Sequence, residues 1–470
     1  MKIPCKSPQL TTFHWIANLR DWFKQFWDRQ QQAGFLWARN PCLSFLQQVL
    51  DSTNNWFNQV ETGFLRRSLQ RQRNNRRGTI GLVVIGFALV WLFAGCQGYQ
   101  NQQTQIDPIK NDKVKVLKTE IRDYKVLKNL KRISGSQTVA GQHNKEPLSE
   151  PVKYTEEIST IISESPGEKK YPGLWSSDFL FKPDDIANRQ TMIDEAKRQW
   201  KEGAIINLMY HACPPTIKPT EPYKPVSCEW EGKDSVHTVL SPEQWKDLIT
   251  DGKKLNEAWK LRLEKEIVQP LEDLQKYGVE VLWRPFHEMN KPNEKKPNGD
   301  EQNFWWAGRP GSNGSRKLYQ ITHDYLVKKK RLTNLIWVWN LQDFDTLKQD
   351  LEEDEKGYNP GDSYWDIAAL DIYGSDGKWY TQDKYEAMQG VVKDKGKPIA
   401  IGECSTLPSV SELKDQPDWA FFMGWAECVS CQNRAECKDC PGKLNSNKEI
   451  RDLYNAPNIL TRDEVRKWRG

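Results

Sequence analysis

The 470-residue sequence lacks a strong excess of charge of either sign. Its 68 Lys and Arg residues are nearly matched by 63 Asp and Glu residues, which leaves a net charge of +5 at pH 7. Because domains that bind nucleic acid concentrate unmatched basic residues, this balance argues against a nucleic-acid partner. The sequence also lacks a Gly-rich phosphate loop after any predicted strand, and it has no Walker motif. This absence disfavours a doubly wound open sheet.

One long apolar run is present, within residues 79–96. Its apolar part carries no charge and has a length at the short end of what spans a bilayer. A basic flank on one side of such a run predicts that this side faces the cytoplasm. We therefore expect contact with a membrane through residues 79–96, and export of the chain that follows. The flank contains Arg66, Arg67, Arg71, Arg73, Arg76 and Arg77.

Two interpretations of this run stay open. It is either a single-pass anchor or a lipoprotein signal, because small residues precede Cys96 as they do at a lipidated cysteine. In the second case translation would start downstream, near Leu65 or Leu69. Both interpretations predict a membrane-anchored protein whose larger part lies outside the cytoplasm.

The segments on either side of the run differ in composition. Residues 1–78 include apolar residues at helical spacing and predict an amphipathic or small helical segment, unless the start is misassigned. Residues 97–112 are polar and rich in Gln, which is typical of a linker. Residues 113–470 are then the outer domain.

Short apolar runs alternate with longer amphipathic stretches in the outer domain, which predicts βα units and a parallel sheet. Eight such runs favour an α/β fold of the (β/α)8 TIM-barrel type. The predicted strands are Thr138 to His143, Tyr171 to Phe179, Ala204 to His211, Val279 to Glu288, Leu335 to Leu341, Ile367 to Gly374, Pro398 to Cys404 and Ala420 to Trp425. The predicted helices include Ala187 to Glu202, Gln244 to Tyr277, Arg316 to Arg331 and Gln382 to Lys395.

Polar or aromatic side chains end six of these strands, where TIM barrels place their functional groups. Glu288 and Glu403 end the fourth and seventh strands, whose tips face each other across a barrel mouth. Two carboxylates about 5 Å apart make a retaining glycosidase, with one as the acid and the other as the nucleophile. Arg284 and Tyr373 are the groups expected to keep the nucleophile ionised. The alternative is a pair of structural strand-end carboxylates.

Several motifs resemble glycoside hydrolase family 26, a retaining β-mannanase family of glycosidase clan A. They are "LWRPFHEMN", "FWWAG", "GDSYWDIAALDIYG", "KPIAIGECS", "TVAGQHNKEP" and "YPGLWSSDF". The resemblance covers about residues 125–463 and implies that Glu288 is the proton donor and Glu403 the nucleophile. It also implies that Tyr373 hydrogen-bonds the nucleophile. The substrate-binding residues it implies are His211, Arg284, His287, Trp306, Tyr373 and Trp425, of which Trp306 and Trp425 would stack on sugars.

The sequence departs from the family pattern at Lys291. The family commonly has Gly after its HEMN motif, whereas here Lys291 opens a polar insertion before Phe304. This changes a loop on the leaving-group side of the predicted site.

Cysteines form two groups in the outer domain. Cys213 and Cys228 flank a Pro-rich segment and predict a disulfide-closed loop beside His211. Residues 428–440 hold a C-x2-C-x5-C-x2-C pattern, which predicts either a structural zinc site or two nested disulfides. The four residues of this pattern are Cys428, Cys431, Cys437 and Cys440.

Together these features predict a membrane-tethered, outward-facing endo-β-1,4-mannanase that needs no catalytic cofactor and acts on β-mannan. A β-1,3-1,4-glucanase or a xylanase on the same fold is the first alternative, because substrate choice depends on loop contacts. A glycan-binding barrel without catalytic activity is a second alternative.

Overall fold

A computed structural model describes residues 123–165, 167–291, 304–343, 351–374, 377–438 and 440–469. The predictions for residues 1–78, 79–96 and 97–112, and for lipidation of Cys96, lie outside these residues. Within the described part of the chain, no helix has the length and apolarity needed to cross a membrane.

Eight parallel strands close into a barrel, which confirms the predicted fold. Each strand pairs with the next along the chain, and β8 pairs with β1 to complete the ring. A short ninth strand adds to the start of β1 and was not predicted. The strands are β1 Thr138–His143, β2 Leu174–Asp178, β3 Ile205–Tyr210, β4 Val281–Pro285, β5 Leu335–Gln342, β6 Ile367–Ile372, β7 Ile399–Cys404, β8 Trp419–Gly424 and β9 Ile459–Leu460.

Helices surround the barrel, and most of them connect one strand to the next. The α-helices are α1 Lys125–Ile133, α2 Lys153–Ile162, α3 Pro183–Glu202, α4 Pro242–Ile249, α5 Lys254–Arg262, α6 Gln269–Lys276, α7 Ser315–His323, α8 Leu351–Tyr358, α9 Gln382–Val392, α10 Val410–Asp415, α11 Ala426–Ser430, α12 Asn447–Tyr454 and α13 Arg462–Arg466. Two π-helical segments follow α5 and α7, at Leu263–Val268 and Asp324–Lys329.

The helical stretch predicted over Gln244 to Tyr277 is divided in the structure. Thr250 has an extended backbone and ends α4, and the chain then re-enters a helix at Lys254. The π-helical turn Leu263–Val268 lies just before Pro270. Because proline has no N–H to offer the carbonyl four residues earlier, a regular α-helix cannot run through this position unchanged.

Both faces of the strands are buried, as expected for a parallel barrel covered by helices. In β3, Ile205 and Met209 belong to the apolar cluster inside the barrel, while Ile206, Leu208 and Tyr210 belong to the cluster between strands and helices. The same alternation in the other strands places the interior side chains in layers and leaves the carboxyl-terminal ends of the strands to carry polar groups.

Gly141 in β1 provides a test of how closely the strands pack. A Cβ there would lie 2.7 Å from the Phe422 carbonyl oxygen and 3.0 Å from Leu174 Cδ2. We expect Gly141→Ala to lower the free energy of unfolding by about 1–3 kcal/mol, because neither neighbour can move away cheaply.

Gly390→Ala is the matched control. Gly390 lies in α9, and no heavy atom lies within 4 Å of the position that an added Cβ would take. Helix propensity predicts a gain of about 0.5–1 kcal/mol for it. Denaturant titration of both variants measures the difference, and equal effects would contradict this packing.

Candidate active site

Glu288 reaches the barrel mouth because the chain turns sharply after β4. Phe286 and Glu288 have positive φ angles of 54° and 50°, a conformation that non-glycine residues adopt only at a cost. Tertiary contacts hold this turn: the Glu288 N–H donates to Asn340 Oδ1 at 2.8 Å, and Phe286 packs among buried aromatic rings. The strain thus aims the carboxylate into the mouth.

A β-bulge in β7 turns the Glu403 side chain toward the inside of the barrel. Leu370 pairs with Ile401, and Asp371 then pairs with Glu403, so that Gly402 is the extra residue in β7. Without the bulge, the strict alternation of a strand would turn Glu403 outward. Gly402 is needed at this point, since a Cβ there would collide with Asp371 Oδ1 and lie 2.7 Å from Asn340 Nδ2.

Three carboxylates meet at the mouth. One oxygen from each of Glu288, Asp371 and Glu403 lies within 4.8 Å of the other two, and all three side chains are buried. Retaining glycosidases have their two carboxyl groups about 5–5.5 Å apart, whereas inverting enzymes need about 6.5–9.5 Å to admit a water molecule. The spacing of Glu288 and Glu403 therefore fits retention.

Arg284 links two of these carboxylates. Its Nη1 donates to both oxygens of Asp371 at 3.0 Å, and its Nη2 donates to Glu403 Oε1. The guanidinium is 1% exposed, so its charge is compensated by these partners and not by water. Although burial opposes it, the two carboxylates raise the pKa of Arg284.

Tyr373 contacts the other oxygen of Glu403. Its hydroxyl donates to Glu403 Oε2 at 2.6 Å, so the predicted hydrogen bond is present. The backbone at Tyr373 is itself fixed by Asp343, which accepts the N–H groups of Tyr373 and Gly374 at 3.1 and 3.2 Å. Lys384 donates to Asp343 Oδ2 at 2.9 Å and completes this support.

Burial and hydrogen bonding act in opposite directions on Glu403. Burial raises its pKa, while Arg284 lowers it through charge and Tyr373 through its hydrogen bond. Burial also raises the pKa of Asp371 well above the usual carboxyl range, against the effect of Arg284. The groups that oppose burial at Glu403 are those that favour a nucleophilic carboxylate.

The predicted histidines lie together beside these carboxylates. His211 contacts Asp178 through Nδ1, and its ring meets His287 with centroids 4.3 Å apart. Burial, and then the nearby charge of His211, lowers the pKa of His287 well below its usual value. A neutral His287 can both donate and accept hydrogen bonds to sugar hydroxyl groups.

The two predicted sugar-stacking tryptophans differ in exposure. Trp425 is half-buried, with one face parallel to His143 at 4.3 Å between centroids. Trp306 is 0% exposed and stacks on Phe304, while its Nε1 donates to the His287 carbonyl at 2.9 Å. A ring without an open face cannot stack on a sugar in this conformation, so the sugar-stacking role predicted for Trp306 needs correction. In the structure, Trp306 supports the backbone of His287.

Four polar residues at the mouth are absent from the predicted site. Asp371 lies two residues before Tyr373 in β6, on the same strand face, and this spacing was a usable signal. Asn340 lies in β5, two residues before the end of that strand, and the sequence gives it no motif. His143 ends the predicted first strand, and no motif separates it from an ordinary strand end, whereas Asp343 had no signal in the sequence. His143 meets Ser176 Oγ at 2.8 Å, and burial lowers its pKa to about 3.

The family profile of Glycosyl hydrolase family 26 matches residues 119–464. The chain belongs to glycosyl hydrolase family 26. The resemblance seen in the motifs is thereby confirmed, and family members act without a cofactor.

Individual family 26 relatives are distant. A mannan endo-1,4-beta-mannosidase of Thermothelomyces thermophilus is 27% identical over 304 residues, which cover 64% of this chain and 55% of that protein. A mannan endo-1,4-beta-mannosidase of Bacillus subtilis is 27% identical over 289 residues, which cover 58% of this chain and 65% of that protein. The matches thus span about half to two thirds of these relatives. The solved GH26A of Muricauda sp. MAR_2010_75 is 30% identical, with a TM-score of 0.58, over 72% of this chain and 95% of that one.

The departure from the family 26 pattern at Lys291 places a cation beside Glu288. Lys291 Nζ lies 3.3 Å from Glu288 Oε2 and 5.5 Å from the centroid of the Phe304 ring. The ammonium is partly exposed, so this pair has little effect on stability.

The described cysteines of the two predicted groups form disulfides. Cys213 pairs with Cys228 as predicted, and the 428–440 loop is closed by the nested pairs Cys428–Cys440 and Cys431–Cys437. Because all four sulfurs of the loop are joined, none is left as a thiolate for the zinc alternative.

Asp343 predicts a measurable effect of pH on stability. Burial raises its pKa to about 6, although Lys384 opposes this. A carboxyl group with a raised folded-state pKa contributes stability below pH about 4, and this contribution is lost as pH rises through about 6. We expect the free energy of unfolding of Asp343→Asn to decline less between pH 4 and 7 than that of the wild type, by up to about 3 kcal/mol. Denaturant titrations across this range measure it.

The control for Asp343→Asn is Asp194→Asn, which removes an exposed carboxylate on α3. Parallel pH dependence of the wild type and Asp343→Asn would contradict the assignment to Asp343.

Proposed function

We propose that this family 26 chain is a retaining endo-β-1,4-mannanase. The observation that carries the proposal is the approach of Glu288 and Glu403 oxygens to within 4.8 Å, with Arg284 and Tyr373 bound to Glu403. The assignment of mannan as the substrate is based on the relatives, several of which are mannan endo-1,4-beta-mannosidases.

The reaction proceeds in two steps. In the first step Glu403 attacks the anomeric carbon, while Glu288 donates its proton to the leaving glycosidic oxygen, which gives a glycosyl-enzyme and a shortened sugar chain. In the second step Glu288 accepts a proton from water, which attacks the same carbon and releases Glu403. Arg284 and Tyr373 hold the Glu403 carboxylate in the attacking position.

Variants of the two glutamates test the assigned roles. We expect Glu403→Ala to abolish release of reducing ends from mannan. We expect Glu288→Ala to lower the rate of mannan hydrolysis about 10²- to 10⁴-fold. The variant should keep the first step on an aryl mannobioside, because the leaving group of that substrate needs no protonation. Such a burst of phenol without turnover distinguishes acid from nucleophile. Glu168→Ala, at an exposed position, is the control. Full activity of Glu403→Ala would overturn the mechanism.

A substrate panel on the full-length chain tests the substrate. Mannan and glucomannan should be cleaved faster than mixed-linkage glucan or xylan, and viscosity should fall well before reducing ends accumulate, because the enzyme cuts internally. Faster cleavage of glucan or xylan would favour the other enzymes of this fold. Binding without cleavage of any β-glycan would favour a non-catalytic barrel.

We further propose that the catalytic domain lies outside the cytoplasm, tethered through residues 79–96. The three disulfides support this location, since such bonds persist in oxidising compartments and are rare in the cytosol. The full chain should fractionate with membranes, and external protease should digest the domain on intact cells. Cys96→Ser should release it only if lipidation is the tether. A domain found in the cytosolic fraction with reduced cysteines would contradict the location.

A further inference from the structure

The helix α1 closes the amino-terminal end of the barrel. The Tyr124 hydroxyl, just before this helix, donates to the first carbonyl of β5 at 2.8 Å, and Ser134 Oγ, just after it, donates to the carbonyl before β8 at 3.0 Å. Glu280, just before β4, accepts the first two N–H groups of α1 at 3.0 and 2.8 Å. These contacts hold α1 across the end of the barrel opposite to the catalytic carboxylates, which lie where β4 and β7 finish.

The two faces of α1 differ in polarity. One face is buried in the apolar cluster inside the barrel and consists of Val126, Leu127, Leu130 and Ile133. The other face is exposed and basic, and α1 contains no acidic residue. The C-terminal turn Lys467–Arg469 packs beside α1 and adds another exposed lysine. We call the exposed cations of this end the basic cap, which consists of Lys125, Lys128, Lys131, Arg132 and Lys467.

The charge of the basic cap is not balanced within the described part of the chain. Among the ion pairs of the described residues, none includes Lys128, Lys131 or Arg132. Glu280, the carboxylate that contacts α1, is bound to backbone N–H groups at the start of the helix. Because cations gathered on one surface create a positive potential, the cap attracts anionic partners.

The sequence just before the cap extends the same charge. Residues 110–132 contain nine basic and three acidic residues, whereas residues 97–109 contain no Lys or Arg. A basic block of this density is typical of a segment that contacts an anionic surface. Because the block begins 14 residues after the apolar run of residues 79–96, the chain leads from the proposed tether into the cap.

The length of the predicted linker limits the distance between the tether and the cap. A flexible chain of the 16 residues at 97–112 has a root-mean-square length of about 20–25 Å. The attraction of a cation to an anionic bilayer acts within a Debye length, which is about 10 Å at 0.1 M salt. The linker therefore allows the cap to meet a bilayer often, and the charges decide whether it stays there.

We propose that the basic cap is a docking surface for the anionic phospholipid headgroups of the bilayer that holds residues 79–96. The proposal rests on the proposed membrane tether. Because the apolar side chains of α1 are buried inside the barrel, the contact is electrostatic and does not insert into the acyl chains. Docking at this end directs the opposite end, with Glu288 and Glu403, away from the bilayer and toward polysaccharide outside the cell.

Lysine footprinting of the full-length chain in nanodiscs tests the docking surface. The discs contain phosphatidylcholine alone, or phosphatidylcholine with phosphatidylglycerol, and a water-soluble acetylating reagent labels exposed lysines. We expect Lys128 and Lys131 to react about 3- to 10-fold more slowly in the anionic discs, and to recover their reactivity in high salt. Lys233, exposed in the loop after β3 at the other end of the barrel, should react equally in both kinds of disc.

Charge reversal identifies the residues responsible for the contact. The triple variant Lys128→Glu, Lys131→Glu and Arg132→Glu should remove the protection of the remaining cap lysines, Lys125 and Lys467, in anionic discs. Thermal melting and aryl mannobioside hydrolysis verify that this variant is folded. If it melts early, glutamine at the same three positions replaces glutamate in the test.

The matched control makes the same change of charge at the other end of the barrel. Lys218, Lys224 and Lys233 are exposed in the loop after β3, and the triple variant Lys218→Glu, Lys224→Glu and Lys233→Glu should keep the protection of the cap.

The outcomes separate the docking surface from the tether. Equal acetylation of Lys128 and Lys131 in neutral and anionic discs would overturn the docking surface and leave the tether in place. Protection that persists in the charge-reversed cap, or that the control variant loses to the same extent, would also overturn it. A chain that enters discs of neither composition would overturn the tether, and the docking surface with it.

Discussion

The contact of Arg284 with Asp371 and Glu403 is the constraint on which the rest of the barrel mouth depends. A guanidinium and two carboxylates without access to water are tolerated only while each keeps its partners. Removing any one of them leaves a buried charge uncompensated, so the three side chains must be held in one arrangement. Strands β4, β6 and β7 carry the three side chains, and the bulged pairing of β6 with β7 sets Asp371 directly beside Glu403.

The backbone around this cluster departs from ideal geometry where the chemistry requires it. The bulge at Gly402 turns Glu403 inward, and the positive φ angle at Glu288 turns the opposing carboxylate toward it. Each departure is stabilised by neighbours, such as Asn340, which lies against both segments. Strained backbone held by surrounding contacts is typical of functional sites. Here it produces the spacing between Glu288 and Glu403.

Supporting contacts surround this cluster. Asp343 and Lys384 fix the backbone at Tyr373, and Trp306 holds the carbonyl of His287. The disulfide Cys213–Cys228 anchors the chain two residues before Trp230, whose ring lies against His211. These residues touch neither reacting carboxylate, yet they set the positions of the groups that do. The catalytic geometry is therefore a property of several loops together.

The predictable part of the fold was the part with strong local patterns. All eight barrel strands were predicted, because strands buried on both faces form continuous apolar runs between polar stretches. The short helices α10, α11 and α13 and strand β9 have too few residues for a pattern, and the break inside Gln244 to Tyr277 depends on local backbone geometry. In the site, Glu288, Glu403, Arg284 and Tyr373 stand at strand ends and were found there. His143 and Asp343 were missed, since a polar residue at a strand end looks the same whether it supports a site or faces solvent.

The sequence by itself determined the barrel, the pair of glutamates and their family, because these follow from periodicity and from motifs contiguous in the chain. Only the tertiary structure decided the spacing of the two carboxylates, the entry of Asp371 into their cluster, the burial of Trp306 and the pairing of the cysteines in residues 428–440. Each of these depends on residues far apart in the chain, and on a bulge or a turn that reverses the direction of a side chain. A linear pattern contains neither piece of information.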